Sequence, residues 1–461
     1  YGGDSGESPH DGDFCGNGIF FLDRSPTPAA QEVKYLYQAP KITITPPSAD
    51  AQAAFTITNR WNFTNTDQFD CRVTLSREGE VVEELSVATA TEPGGTSSYS
   101  IPLGSPKKGG EYSLDVSFHL KADTPWAKLG YEVAREQAVF DVAGPTESLP
   151  ERAVSPLRVV NGEHNIGVHG EHFSAMFSKV AGGLVSYEQK TPRGLRPLLV
   201  APPMPNFWHA PTSNEKGWGA PREDGQWLLA SRYPSFTETR SNPTLQQNED
   251  SATITFTYEF PTIPATFATV AYTVHPWGRV DVELALEPGE GLPPVPELSM
   301  LFTTDADLDR LTWYGEGPAE SQVDRRGGAH LGIYEASVAE QLTKYLRPQE
   351  AGNHTGVRWA QVVDEDGFGL RFVASGDRNP RGEKGMEFSA LHWSPFEIEN
   401  ATHHHKLPPI HNTFIRPALM RRGVGGDDTW GARAHPEYLL PAGPLTFRFS
   451  FEGVGGESSH P

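Results

Sequence analysis

The sequence predicts a mainly β protein: an immunoglobulin-like sandwich, then a large antiparallel β-sandwich, with a single β/α unit in front. Three observations carry that prediction. Apolar residues recur with period two in short runs through most of the chain. The 46 glycines and 40 prolines are scattered between those runs, as turn formers between many short strands would be. Only the first 38 residues break the pattern, with a continuous apolar run followed by helical spacing.

In that opening segment, residues 1–38, Gly18-Ile19-Phe20-Phe21-Leu22 reads as a strand buried on both faces. A turn follows at Asp23-Arg24-Ser25-Pro26. Thr27 can then cap a helix with Pro28 at its first position, and Val33, Leu36 and Tyr37 share one face. A lone unit of this kind cannot bury its own faces, so its partners are expected upstream. The start at Tyr1 rather than Met also reads as a processed or excised piece.

Residues 39–143 alternate. Phe55, Ile57, Trp61 and Phe63 form one series and Tyr112, Leu114, Val116 and Phe118 another, with turn clusters at Glu92-Pro93-Gly94-Gly95 and Lys107-Lys108-Gly109-Gly110. About a hundred such residues suit an immunoglobulin-type sandwich. A polar, Pro-containing linker is expected at 144–155. From 156 to 461 alternation resumes, in Ile254-Phe256-Tyr258-Phe260, Val280-Val282-Leu284-Leu286 and Leu445-Phe447-Phe449-Phe451. One large sandwich is the preferred reading, although two smaller domains would give the same pattern. No repeat of a propeller or solenoid is visible.

The net charge of −21 argues against nucleic acid and anionic membrane surfaces as partners, and suits a neutral ligand. Two cysteines, Cys15 and Cys71, cannot organise a disulfide framework or a thiolate zinc site, which favours a reducing, cytoplasmic setting. No apolar stretch approaches the roughly 18–20 residues of a membrane span.

Four segments carry chemistry. The opening loop through Phe14-Cys15-Gly16-Asn17 is rich in Gly, Asp and His and could offer oxygens to a hard cation or a sugar hydroxyl. On composition alone an ordinary polar loop is the commoner outcome. Gly425-Gly426-Asp427-Asp428-Thr429-Trp430 places two carboxylates side by side, but neighbours on a strand point to opposite faces and cannot flank one bond. A Gly-rich turn presenting Trp430 as a stacking surface for a sugar ring is the better reading, with a core tryptophan equally open. His403-His404-His405 reads as structural or solvated ahead of a metal tract. Phe207 through Gly219 reads as a mobile loop at a site edge or a plain surface loop.

Together these motifs resemble the β-galactosidases of glycoside hydrolase family 2. Tyr1-Gly2-Gly3-Asp4, Phe14-Cys15-Gly16-Asn17-Gly18, Asp23-Arg24 and Pro28-Ala29 are similar to the last strand and helix of that family's catalytic barrel. His209-Ala210-Pro211-Thr212 with Asn214 and Gly217 resembles its flexible loop, usually written with Arg first. Trp313-Tyr314-Gly315-Glu316-Gly317-Pro318, Glu320, Asp324-Arg325, Tyr345, Pro348-Gln349-Glu350 and Gly356-Val357-Arg358 resemble signatures of its last domain. Gly423-Val424-Gly425-Gly426-Asp427-Asp428-Thr429-Trp430-Gly431 matches most closely.

The resemblance covers the whole chain in order. It implies that residues 1–38 are the C-terminal remnant of a (β/α)8 barrel, followed by the immunoglobulin-like and terminal domains. It implies that the Phe14 carbonyl and the Asn17 side chain bind a sodium ion beside a galactoside, that Asn17 also touches the sugar, and that Trp430 stacks on it. The reaction implied is retaining hydrolysis of β-galactosides such as lactose. Its two carboxylates and its Mg2+ ligands would lie upstream, so no catalytic residue is assigned here and the chain alone is expected to be inactive. The partners implied are an N-terminal half of the enzyme and, in a homo-oligomer, further copies. His10 stands where many members have Asn at a peripheral magnesium site, and Ser213-Asn214-Glu215 replaces the common Asp-Asn-Asp. A separately encoded small subunit and a lectin-like galactoside binder are the alternatives.

Overall fold

Period-two patterning yields strands at most of the predicted places. The computed structural model describes residues 1–16, 18–48, 52–104, 108–144, 155–234, 243–428 and 431–455. They divide into two compact units, one of Pro28–Glu151 with Gly327–Ile333, the other of Tyr1–Thr27, Arg152–Arg326 and Tyr334–Pro461.

The smaller unit begins with helix α1 (Pro28–Leu36), followed by β1 (Pro40–Thr45), β2 (Ala54–Asn59), β3 (Phe69–Arg77), β4 (Glu80–Val87), β5 (Thr96–Ser100), β6 (Gly110–Leu120) and β7 (Glu132–Val142). Strands pair in the orders β1-β2-β5 and β4-β3-β6-β7, all antiparallel. Inward-facing Phe55, Ile57, Val73, Leu75, Leu114, Val116 and Phe118 form one apolar core between these sheets. Cys71 is buried in it as a free thiol, which burial pushes up to about 12.

The predicted series through Trp61 and Phe63 ends early. The Asn59 amide donates to the carbonyls of Thr64 (2.9 Å) and Thr91 (2.8 Å), turning the chain out of the sheet. Trp61 then stacks on Phe69 with ring centroids 4.7 Å apart, and Phe63 is exposed.

Helix α1 forms where predicted but turns its polar face inward. Gln31 donates to the Gly328 carbonyl, Glu32 accepts from the Gly328 amide at 2.8 Å, and Tyr35 donates to Glu136 at 3.0 Å. Leu36 and Tyr37 are exposed. The apolar run at 18–22 makes only an isolated bridge, Phe20 to Pro26, and Ile19, Phe20 and Leu22 face solvent. A strand buried on both faces needs neighbours along both edges, and none lies beside this run among the described residues. The Thr27 hydroxyl donates back to the Ile19 carbonyl at 2.7 Å.

The larger unit contains β8 (Arg158–Asn161), β9 (Asn165–His169), β10 (Phe173–Ser178), β11 (Gly183–Thr191), β12 (Gly194–Pro197) and β13 (Ala201–Asn206). Three short helices follow, α2 (Ser213–Trp218), α3 (Ala220–Glu223) and α4 (Gly225–Arg232). Then come β14 (Thr244–Gln247), β15 (Ala252–Phe260), β16 (Thr266–Val274), β17 (Val280–Glu287), β18 (Glu297–Asp305), β19 (Arg310–Gly317) and β20 (His330–Ser337), of which the part from Tyr334 belongs to this unit. The last elements are β21 (His354–Val357), β22 (Trp359–Val363), β23 (Gly369–Ala374), β24 (Met386–Leu391), α5 (Pro395–Asn400), β25 (Asn412–Arg421) and β26 (Leu445–Val454).

They build three sheets, ordered β12-β11-β10-β9-β8, β13-β18-β25-β24-β21 and β14-β15-β16-β17-β26-β23-β22-β19-β20. Two predicted alternating series lie directly opposite each other: Val280, Val282, Leu284 and Leu286 pair with Phe451, Phe449, Phe447 and Leu445. Phe302 on β18 closes the packing against Phe372 and Phe451, with centroids 5.1 and 5.3 Å apart. Each such side chain removed from water contributes about 1.5–3 kcal/mol, so this row is a principal source of the unit's stability. Among the described residues, no helix is long and apolar enough to cross a membrane.

Candidate functional site

Three segments distant in sequence meet in the larger unit: the opening loop 1–16, helix α2, and the Gly-rich turn around 423–433. The opening loop is held by its own backbone. The Gly2 amide donates to the Gly12 carbonyl (2.8 Å), and Glu7 accepts from the amides of Gly3 (2.6 Å) and Ser5 (3.1 Å). Those two amides hold the Glu7 carboxyl below its ordinary range. The loop is tied outward by Asp4, which pairs with His403 at 3.0 Å, and by the Tyr1 ring, 4.3 Å from that of His403.

Helix α2 is not a loose surface loop. Thr212 accepts from the Glu215 amide and Glu215 from the Thr212 amide, a reciprocal capping box. Gly219, at φ 89°, ends the helix in the left-handed conformation that glycine tolerates best. Phe207, Trp208 and His209, which precede it, are buried. The Glu215 carboxylate lies between His209 Nε2 (2.9 Å) and Arg422 Nε (2.7 Å), and Arg422 also binds Asp224. Burial alone would raise Glu215, but the His209 and Arg422 charges outweigh it and hold the carboxyl at about 2. His209 is raised in turn, burial being outweighed by Glu215. Lys216 has a buried ammonium without a hydrogen-bond partner among the described residues, and burial with the nearby Arg347 charge pushes it down to about 8.

The outward side of α2 touches both neighbouring loops. Ser213 donates to Asp13 of the opening loop, and its amide donates to Gln349 at 3.1 Å. The Asn214 amide donates to the Ala432 carbonyl at 2.9 Å. Trp218 is flanked by the guanidiniums of Arg422 and Arg433, 5.0 and 4.5 Å from its ring.

The turn itself is closed by Asp428, which accepts from the Ala432 amide at 3.1 Å, while Asp427 pairs with His435 at 2.9 Å. The two carboxylates thus have separate partners, one within the turn and one just beyond it. Asp324 accepts from the Gly425 amide at 2.7 Å. The glycines are needed for close approach: a Cβ on Gly423 would lie 2.6 Å from the Asp324 carboxylate, and one on Gly426 2.3 Å from the Ala432 carbonyl.

The other signature residues form buried charge clusters beneath these loops. Glu320 accepts from Arg325 (2.7 Å), Thr343 (2.6 Å), Tyr345 (2.6 Å) and the Gly352 amide (2.8 Å). Glu350 binds Arg416 and Arg421, and both arginines also meet Glu297. Glu316 pairs with Arg326 and accepts from Thr355. Trp313 stacks on His354 at 4.0 Å as a buried wall.

Of the predicted site residues, Phe14 sits in the opening loop, where its amide donates to the Asp11 carbonyl at 3.0 Å, and its side chain is partly exposed. Asn17 and Trp430 lie outside the described residues. His403 and His404 diverge, to Asp4 and to the Tyr345 carbonyl (2.6 Å). Among the described residues, no three His, Cys, Asp or Glu side chains gather as a metal-holding group. A backbone carbonyl at Phe14 is the hard oxygen donor that sodium takes. His10 does not suit magnesium: its Nδ1 accepts from the Gly12 amide at 3.2 Å, its ring lies against Gly3, and imidazole replaces a hard oxygen. Sequence reasoning missed Asp13 and Arg422 altogether, and the capping box Thr212–Glu215, which was visible as Thr-x-x-Glu.

Comparison with known proteins bears on the same segments. Residues 169–452 match the family model of the β-galactosidase small chain, residues 55–141 that of β-galactosidase domain 4, and residues 1–42 that of the TIM-barrel domain of glycosyl hydrolases family 2. A β-galactosidase of Priestia megaterium is 38% identical over 446 residues, covering 96% of this chain and 41% of the relative. One of Halalkalibacterium halodurans is 35% identical, covering 98% and 43%. One of Streptococcus thermophilus is also 35% identical, covering 98% and 41%. The chain therefore spans well under half the length of these relatives. By the match over 169–452 and the two that precede it, this chain belongs to the β-galactosidases of glycoside hydrolase family 2.

Proposed function

We propose that this chain supplies the rim of the sugar site in a retaining β-galactosidase acting on terminal β-galactosides such as lactose, in the cytoplasm. One observation carries the reading: the described residues of the opening loop and of the Gly-rich turn, next in sequence to Asn17 and Trp430, both meet α2 within one unit. In it, the Phe14 carbonyl and Asn17 hold a sodium ion beside the galactose, Asn17 also contacts the sugar, and Trp430 stacks on the sugar or its aglycone. A sodium ion there would add positive charge near the sugar hydroxyls. The chain's own contribution is orientation and restriction of the pocket. The attacking carboxylate, the acid/base carboxylate and the Mg2+ ligands belong to the preceding part of the enzyme, which acts as a homo-oligomer.

The relatives carry the matching stretch inside chains more than twice as long, which favours a single-chain enzyme over a separately encoded small subunit. Turnover of o-nitrophenyl β-galactoside by the isolated chain is the test. No turnover is expected, and enzyme-level turnover overturns the reading. Tight lactose binding by the isolated chain, lost on Trp430→Ala, would instead favour a lectin-like role, because half a pocket binds weakly.

A further inference from the structure

Helix α2 touches both loops of the proposed site while its base is fixed in the core. Inward, Glu215 is buried between His209 and Arg422, so the helix cannot swing without exposing or unpairing that carboxylate. Outward, Ser213 reaches Asp13, next to Phe14, and Asn214 reaches the Ala432 carbonyl. At the far end the backbones meet: a Cβ on Gly431 would lie 2.8 Å from the Gly217 carbonyl carbon and 2.9 Å from the Trp218 nitrogen. Gly431, at φ 106°, is in a conformation that favours glycine.

We propose that α2 is a fixed spacer that sets the separation of the opening loop and the Gly-rich turn, with Ser213 the positioning residue for the first and Asn214 for the second. A gate would need an anchor able to release, whereas α2 is buried at its base and is held outward at several points, by Ser213 to Asp13 and Gln349 on one side and by Thr212, Asn214 and Gly217 to the turn on the other.

The test is amide hydrogen exchange on the full chain without sugar. Asn214→Asp keeps the shape but removes the donor to Ala432. It is expected to speed exchange across 424–433 about five- to tenfold, the loss of one ordinary hydrogen bond, while leaving 2–15 unchanged. Ser213→Ala is expected to do the reverse. Asn214→Gln, which keeps a donor, restores most of the protection. Wild-type protection of 424–433 in Asn214→Asp overturns the proposal, as does loosening of both loops together with β17 and β26 in either variant. Because no ligand enters the measurement, failure here leaves the sugar-site reading standing. Failure of that reading, conversely, leaves the exchange pattern intact.

Discussion

The two units treat charge differently. In the smaller one an apolar cluster fills the space between the sheets, Lys34–Glu132 and Lys128–Asp123 lie at the surface, and of its buried carboxylates, Glu111 and Asp115, the second meets a partly covered Arg135. In the larger one Arg416, Arg421, Glu297 and Glu350 are buried together, and so are His209, Glu215, Arg422 and Asp224. Apolar packing stabilises without direction, whereas a buried ion pair gains little net stability but demands one geometry. The charged clusters lie where loops must be held: Glu215 under α2, Asp324 under the Gly-rich turn, Glu320 under the segment of Tyr345.

The largest effect should come from cutting one such cluster. Arg416→Met leaves two buried carboxylates, Glu297 and Glu350, to share the single guanidinium of Arg421, one negative charge in excess, and is expected to cost about 3–5 kcal/mol in urea unfolding. Phe118→Ala in the smaller unit should cost a similar amount, about 3–5 kcal/mol, through the cavity it leaves. The two differ in their response to pH. The Arg416→Met penalty shrinks toward acid, where a stranded carboxyl takes up a proton, and the Phe118→Ala penalty stays flat. Equal pH dependence would erase the distinction between the units.

A smaller effect sharpens the same comparison at α2. Glu215 is depressed to about 2 in the folded chain, so its stabilisation is present above its unfolded value near 4.3 and is lost as pH falls toward 2. His209 is raised, so its share is complete below its unfolded value near 6.5 and is lost as pH rises through the folded value. Facing His209 are Glu215, Arg422 and Glu350, and the carboxylates outweigh the guanidinium. The melting temperature of the larger unit should therefore have a plateau between roughly pH 4.3 and 6.5. His209→Gln should remove the alkaline fall and leave the acid one. If the alkaline limb survives in that variant, the His209–Glu215 pair does not carry it.

Much of this was legible in the sequence, and the exceptions have physical causes. Ile254 to Phe260, Val280 to Leu286 and Leu445 to Phe451 were readable because alternation reports one buried face, a local property. Phe63 misled because strand β2 ends at Asn59, and it is the bonds from Asn59 to Thr64 and Thr91 that end it. The run at 18–22 misled because a continuous apolar stretch signals burial only when neighbouring strands are present. At the site, the motifs located the opening loop and the Gly-rich turn. They could not reveal that Asp324 holds Gly425 across 101 residues or that Arg422 reaches Glu215 across 207, since side-chain pairing at that range leaves no periodic trace.

Lys216 offers the smallest test, and one of opposite sign. Its ammonium is buried and without a partner among the described residues, with Arg347 as a like-charged neighbour and Asp13 and Glu399 as only partial compensation. An unpaired interior charge opposes folding, so Lys216→Met should raise stability by about 1 kcal/mol near neutral pH. The pH dependence identifies the cause. Because the folded amine titrates at about 8 and the unfolded one near 10.4, the unfolded chain binds the extra proton between those values, and wild-type stability gains from this group as pH rises. The advantage of Lys216→Met should therefore fade between about pH 8 and 10.4. A constant advantage across that window would point to packing by the methionine rather than relief of charge. A loss of stability at neutral pH would mean that Lys216 has an ionic partner that offsets its burial, and that α2 is held by charge on its outward side as well as at its base.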